Sequence, residues 1–380
     1  MEDVTDVAFR EMFARYSGKE SRSKNQDLSV ARPFMGWFKN SWKKAADKSA
    51  SARAGRDGSA RYKIHNNFVM FTEFINVDGL THPEGRKKLE IGLKYTESQR
   101  PIVAQLWGRS PLKFEEAAKI IADLGFDGID INMGCPQDKE IKIGACASLI
   151  KEPQLAMEII KFTKKGAGEL PVSVKTRLGY SKNTIGTWLR HLLLVEPAAI
   201  TVHGRTKQEK SKVPADWGAI AEAVKVRDEV LGLRAKEERT LIIGNGDIKS
   251  RAEGLERVKE TGVDGVMVGR GAFGNPWFFN PNVEFMSDVA AAIGRHNTKM
   301  EAGGLRYIPI HEKLRVMLEH ARLFNELLGG QKSFVIMRKH FKAYCGGFDG
   351  AHELRIKLLN AKDLGETEKI VKEYLLTASS

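Results

Sequence analysis

The chain has 380 residues with 42% apolar content, enough for two domains or one large barrel with an appendage. No run of about 18 uncharged apolar residues occurs, so a helical membrane span is not expected. The start, MEDVTDVAFR, carries acids where an export signal needs bases, so export is not expected. The net charge of +13 raises nucleic acid as a partner, because neutralising phosphates drives such binding.

The segment DVTDVAFREMFARY (3–16) reads as a first helix. Residues 17–67 then break the pattern. They hold 12 Lys and Arg against 4 Asp and Glu, a net +8, and are rich in Ser, Ala and Gly. This is the composition of an insertion, although Trp37, Phe38 and Trp42 allow a short amphipathic helix within it. A solvated loop and an extended grip on nucleic acid both fit this charge.

From residue 68 onward short apolar runs alternate with helical patterns. The runs are VMFTEF (69–74), PIVAQLW (101–107), GIDIN (128–132), PVSVKT (171–176), AAITVH (198–203), LIIGN (241–245) and GVMVG (265–269). Their near-continuous apolar character predicts strands buried on both faces. Helical spacing recurs at Phe114, Ala117, Ala118, Ile121 and Leu124, at Trp188, Leu192 and Val195, and at Ile220, Ala223 and Val224. Alternation of this kind predicts a parallel sheet, and seven strands point to a TIM (β/α)8 barrel lacking one strand. The missing strand belongs before the first helix, with Met1 as its last remnant. After about residue 300 only helical stripes remain. Leu314, Leu318, Ala321 and Leu328 form one, closed by Gly329-Gly330; others follow, with Thr367 as a cap of the last. The expected domains are a barrel over 1–290 and a helical domain over 305–380.

Three cysteines, at 135, 146 and 345, form no CxxC pair and no metal-ligand spacing. A reducing, cytoplasmic setting without disulfides or a bound metal follows as the expectation.

Barrels of this class carry their chemistry at the C-terminal ends of the strands. Those ends read Glu73, Gln105, Asn132 with Cys135, Lys175 with Arg177, His203 with Arg205, Asn245 with Asp247, and Gly269 with Arg270. Such a set is costly to bury as plain structure. GNGD (244–247) and GRG (269–271) suit a phosphate, with Arg270 as a fixed positive fork. Ordinary tight turns explain the glycines equally. Gly269, Gly271 and Gly274 also spell GxGxxG, but Asn275-Pro276 interrupts the helix that a dinucleotide fingerprint requires. Lys175 suits the electron-rich edge of a flavin, and Gln105 can pair with its polar edge. A single phosphate plus such a ring suggests FMN, though sugar phosphates fit similar loops.

The motifs DVTDVAFR, FTEFINVDGL, QLWG, INMGCPQDKEIKIGACASLI, SVKTRLGY, TVHGRT, GNGD and GVMVGRGAFGNPW stand in the order found in the tRNA-dihydrouridine synthases. The tail MRKHFKAYCGGFDGAHELR also resembles that family's C-terminal helical domain. The resemblance covers roughly 1–16 and 68–360. It implies an FMN enzyme that uses NADPH to reduce uridines of tRNA to 5,6-dihydrouridine. By position, Cys135 matches the proton donor. Gln105, Lys175, His203, Asn245, Gly246, Asp247, Gly269 and Arg270 match the FMN site, as does Met1 through its backbone. Asn132 and Arg205 match residues near the target uracil.

The resemblance also implies hydride delivery to uracil C6 and a proton from Cys135 to C5. A free thiol, with a pKa near ~8.5, stays mostly protonated at neutral pH and can serve as that acid. Cys146 reads as packing and Cys345 as a helix-end residue. Lys332, Arg338, Lys339 and Lys342 are candidate phosphate contacts, or a solvated helix face. A monomer is expected. Two alternatives remain: an FMN-barrel reductase of a small molecule, resembling dihydroorotate dehydrogenase, and a tRNA-binding homologue without catalysis.

Overall fold

The computed structural model describes residues 5–17, 68–232, 239–283 and 308–378. Met1, the insertion from residue 18 to 67, and the join expected near 285–305 lie outside the described residues.

Seven strands run in chain order: β1 (Met70–Asn76), β2 (Ile102–Trp107), β3 (Gly128–Asn132), β4 (Val172–Arg177), β5 (Ala199–His203), β6 (Leu241–Asn245) and β7 (Gly265–Met267). They form one sheet in the order β1 to β7, and each adjacent pair is parallel. The helices are α1 (Val7–Tyr16), α2 (Val77–Leu80), α3 (Pro83–Leu89), α4 (Pro111–Asp123), α5 (Asp138–Lys142), α6 (Pro153–Ala167), α7 (Ile185–Leu193), α8 (Trp217–Leu231) and α9 (Arg251–Thr261). Four more follow: α10 (Ile310–Leu328), α11 (Met337–Tyr344), α12 (Ala351–Asn360) and α13 (Leu364–Ala378). The strand–helix alternation is as expected, but β1 and β7 do not pair among the described residues. Those residues therefore form a curled, open parallel sheet rather than a closed barrel of eight.

The strands are less uniformly apolar than their composition suggests. Side chains alternate faces along a strand. On one face Thr176 accepts a hydrogen bond from Trp188 Nε1 of α7 at 2.9 Å, and Gly244 backs onto the Trp217 ring of α8. A Cβ at Gly244 would lie 2.4 Å from that ring, so glycine is required there by packing. The helices cover this face. Asp130, Asn132, Ser173, Lys175, Arg177, His203 and Asn245 alternate with these positions and belong to the other face. Asp130, Asn132 and Arg177 are the buried ones, and their polar atoms are satisfied by neighbouring side chains and backbone.

The α1 helix joins the two parts of the chain. Asp6 caps it by accepting from Phe9 N–H at 2.8 Å, a bond worth about 1 kcal/mol. Phe9 and Phe13 pack into the core of the sheet, whereas Val7, Ala8 and Met12 pack with α10 to α13. Near the unpaired sheet edges Phe13 meets Phe279 at 6.0 Å, and Phe279 stacks on Phe68, just ahead of β1. Tyr16 Oη donates to Glu319 of α10 at 2.5 Å.

The helical part closes on the sheet at two further points. Lys332, expected as a phosphate contact or part of a solvated helix face, instead donates from Nζ to Glu73 Oε2 of β1 at 2.7 Å in a largely buried pair. Gly274 adopts φ +69 where the backbone of Ala343 approaches; a Cβ would come within 2.5 Å of it. Packing against α11 thus explains the last glycine of the GxGxxG pattern. The last helix is capped by Asp363, whose Oδ1 accepts from Glu366 N–H at 2.9 Å. Thr367, expected as the cap, is buried inside the first turn, and its hydroxyl donates to Asp363 O at 2.8 Å.

Candidate active site

A chain of side-chain hydrogen bonds fixes the loop that follows β3. Asp130 accepts from Ser173 Oγ at 2.6 Å and from Gln105 Nε2 at 2.7 Å. With its amide nitrogen committed to the carboxylate, Gln105 turns Oε1 to accept from Asn132 Nδ2 at 3.0 Å. That leaves Asn132 Oδ1 to accept the backbone N–H groups of Gly134 at 3.0 Å and Cys135 at 2.9 Å. Burial pushes the Asp130 carboxyl up to about 6, against the pull of Ser173 and Gln105. At neutral pH it remains ionised and can accept from both donors.

Arg177 holds the same loop from the other side. Its Nε donates to Gly134 O at 2.6 Å, and Nη1 donates to Thr206 O and Lys210 O. The Cys135 thiol is half-buried. The neighbouring Cys146 side chain, aided by Gln137 N–H and Arg177, lowers its pKa from the ordinary thiol value against burial and Glu140.

Lys175 pairs in register with Asn132 and is half-buried. Its ammonium makes no hydrogen bond or ion pair with the described residues. Burial, with repulsion from Arg177, lowers its pKa to about 8, while Asp130 and Cys135 oppose the fall. A three-donor cation left open in this way suits an electron-rich ligand edge or an anion.

His203 stands opposite both Arg177 and Asn245 in register. Arg205 Nη1 lies 3.1 Å from His203 Nε2. A guanidinium can only donate, so Nε2 accepts and the ring is neutral, with its proton on Nδ1. Burial, followed by Lys175, Arg177 and Arg205, pushes this imidazole down to about 2. Arg205 is itself buried: Nε donates to Val213 O at 2.5 Å and Nη2 to Asp247.

Asp247 also accepts from Ala215 N–H at 2.9 Å and from Arg270 at 3.2 Å. The Arg205 hydrogen bond leads in holding its carboxyl below the usual range. Arg270 is the most open of these groups, with 64% of its side chain exposed. The glycines here have different causes. Gly246 sits at φ +142, and a Cβ would meet Ala215 at 2.5 Å. Gly271 is packed against Ile248 O, whereas above Gly269 nothing lies within 4 Å. Only Gly269 opens onto space that a phosphate could enter. Asn245 Nδ2 donates to Met267 O at 2.8 Å and so ties β6 to β7.

Gln105, Asn132, Cys135 and Lys175 thus share one end of the sheet with His203, Arg205, Asp247 and Arg270. Met1 lies outside the described residues. Three contributors were not among the candidate site residues: Asp130, Ser173 and Cys146, whereas Arg177 was read among the polar strand ends. The first two had a legible signal, a polar residue at every second position of GIDIN and SVKTR. Cys146 had none, because its contact depends on the path of the loop.

A family model described as dihydrouridine synthase (Dus) matches residues 1–379. A probable tRNA-dihydrouridine synthase of Staphylococcus aureus is 38% identical over 308 residues, covering 80% of this chain and 85% of that protein. The probable tRNA-dihydrouridine synthase 2 of Bacillus subtilis is also 38% identical over 308 residues, with 80% and 86% covered. Among solved structures, an old yellow enzyme homologue from Zymomonas mobilis is similar at TM-score 0.39 and 12% identity, covering 66% of this chain and 86% of that one. Histamine dehydrogenase from Rhizobium sp. 4-9 is similar at TM-score 0.39 and 13% identity, covering 67% and 43%. At these scores neither structure bears on the chemistry. No described helix is long and apolar enough to cross a membrane.

Proposed function

The chain belongs to the dihydrouridine synthase family, and we propose that it reduces selected uridines of tRNA to 5,6-dihydrouridine with FMN as cofactor and NADPH as reductant. The observation that carries this reading is the Cys135 thiol, fixed by Asn132 and Arg177 beside the Lys175 ammonium, which has no partner among the described residues. The open sheet is read as the barrel short of one strand, with α1 following that strand's place.

The residues present fit the flavin. Lys175 would hold the electron-rich edge of the ring, Gln105 its polar edge, and Arg270 with the open backbone at Gly269 the phosphate. Asp247 opposes this fit in part, since its carboxylate offsets some of the Arg270 charge. When bound, FMN supplies the hydride that reaches uracil C6.

The protein's own task is the proton. Cys135 gives its S–H proton to C5 of the uracil, and Asn132 and Arg177 keep the sulfur in place through the loop backbone. A half-buried, neutral His203 adds no charge to compete with that transfer. Fixing a donor in this way contributes roughly 10²–10⁴ in rate. A uracil of folded tRNA must leave its stack to reach such a mouth. Exposed Lys339 and Lys342 on α11 are candidate contacts for phosphates.

The test is to purify the full chain, identify its flavin by absorbance and chromatography, and incubate it with NADPH and tRNA lacking dihydrouridine. New dihydrouridine supports the reading; colourless protein, or flavoprotein that leaves the tRNA unchanged, refutes it.

A further inference from the structure

Three loops at the mouth of the sheet converge on one aromatic ring. Tyr180 lies in the loop after β4 and is half-buried. Lys207, from the loop after β5, brings Nζ to 5.1 Å from the ring centroid. Lys151 ends the helical turn Cys146–Lys151, downstream of the Cys135 loop, and brings Nζ to 4.4 Å. Both distances are within reach of a cation–π contact. Backbone bonds fix the arrangement. Leu178 N–H donates to Arg205 O at 3.2 Å, Lys207 N–H to Gly179 O at 2.9 Å, and Gln208 N–H to Tyr180 O at 3.0 Å. Arg177 then ties the loop after β5 to Gly134 O, beside Cys135.

The surface around the ring is basic. Lys151, Lys182, Lys210 and Lys212 are exposed and Lys207 is half-buried. Among the described residues none of these five makes an ion pair. The neighbouring acids are already engaged: Glu152 accepts both Nη groups of Arg109, and Glu209 accepts the N–H and hydroxyl of Thr206. Lys210 adopts φ +54, an uncommon backbone for a residue with a side chain. Its carbonyl accepts from Arg177 at 3.1 Å while the residue stays exposed. The helical part meets the sheet elsewhere, at Glu73 of β1 and at Gly274 after β7. β4 and β5 stand in the middle of the strand order, so the ring belongs to a wall of the mouth that the helical part does not form.

We propose that Tyr180, with Lys151 and Lys207, is a second RNA contact: the ring stacks on a nucleotide beside the extruded uridine, and the two ammoniums leave the ring for the flanking phosphates. This inference rests on the tRNA substrate proposed above. An aromatic platform set among cations is the combination that holds an unpaired strand. Every base has a π-face, so the contact fixes the strand without reading its sequence. Extrusion of the target uridine unstacks its neighbours and leaves a base to be held in this way.

The experiment measures binding of tRNA lacking dihydrouridine to the purified full chain, by fluorescence anisotropy at several salt concentrations. Tyr180→Ala should weaken binding roughly 5-fold to 150-fold, the range for losing one stacked base. Tyr180→Phe keeps the ring and should stay close to wild type. The double variant Lys151→Ala, Lys207→Ala should lower the slope of log affinity against log salt by about 1 to 2, since each phosphate contact contributes roughly 0.7–0.9. Unfolding midpoints of the variants separate a lost contact from a lost loop. Tyr180→Ala that binds as tightly as wild type overturns the proposal. So does a phenylalanine variant as weak as alanine, or an unchanged salt slope in the lysine pair. Wild type that forms dihydrouridine while all three variants bind normally leaves the reductase reading standing without this contact. Wild type that binds no tRNA removes both.

Discussion

Asn132 Oδ1 accepts the backbone N–H of Cys135 at 2.9 Å while its amide nitrogen donates to Gln105 at 3.0 Å. One side chain thus links the inward face of the sheet to the backbone of the reactive loop. Asn132→Ala leaves two loop N–H groups and the Gln105 carbonyl without a partner, at about 1–3 kcal/mol each if they stay buried. Uridine reduction should fall at least tenfold. Asn132→Asp, which keeps the acceptor, should fall less. Single-turnover rates with tRNA check the ranking, and equal rates for both variants would remove Asn132 from the positioning of Cys135.

Cys135→Ala removes the proton donor without touching Lys175, Arg270 or the backbone bonds of the loop. The purified variant should keep its flavin colour and lose roughly 10²–10⁴ of its turnover. Flavin absorbance and dihydrouridine yield, measured on one preparation, separate the two effects. Undiminished yield would leave the thiol without a chemical part.

The proton donor also sets a pH dependence. The neighbouring Cys146 side chain leads in lowering the Cys135 pKa below the ordinary thiol value. The acid form is complete well below the lowered pKa and lost as pH rises through it. Proton delivery should therefore fall by about tenfold per pH unit above roughly pH 8. A single-turnover profile that stays flat to pH 9 contradicts a thiol donor.

The strands were legible because each apolar run is long enough to bury and all but the first are bounded by Gly, Pro or Asp. All seven stand within two residues of their expected limits at either end. The polar lining was harder to read. Asp130 and Ser173 sit inside apolar runs, and their cost is removed only by partners from neighbouring strands. Lys332 was misread for the same reason, since its partner Glu73 lies 259 residues away. Composition does not encode such pairings.

The pair of Lys332 and Glu73 predicts a stability effect. Their side chains are 13% and 7% exposed, and Glu73 Oε1 already lacks a hydrogen-bond partner. Lys332→Ala strands a buried carboxylate and should cost about 3–5 kcal/mol. Adding Glu73→Gln removes the charge and should recover part of that loss. Urea unfolding of the single and double variants measures both, and a single variant within 1 kcal/mol of wild type would show the pair to be solvated.

Arg270 offers the cleanest test of the phosphate assignment. Among the described residues its ion pair is with Asp247 at 3.2 Å, and its side chain is 64% exposed. Exposed pairs contribute about 0–1 kcal/mol, so Arg270→Ala should leave the unfolding midpoint almost unchanged. Asp247 stays anchored by Arg205 and Ala215, which keeps the loop after β6 in place. A phosphate held at Gly269 would nevertheless lose its charged fork, and a charge-assisted hydrogen bond is worth about 1.5–3 kcal/mol. FMN affinity should therefore drop by about 10-fold to 100-fold, measured by fluorescence titration of apoprotein. Riboflavin, which lacks the phosphate, should bind wild type and variant equally. If both ligands weaken together, or neither does, the phosphate does not sit beside Arg270.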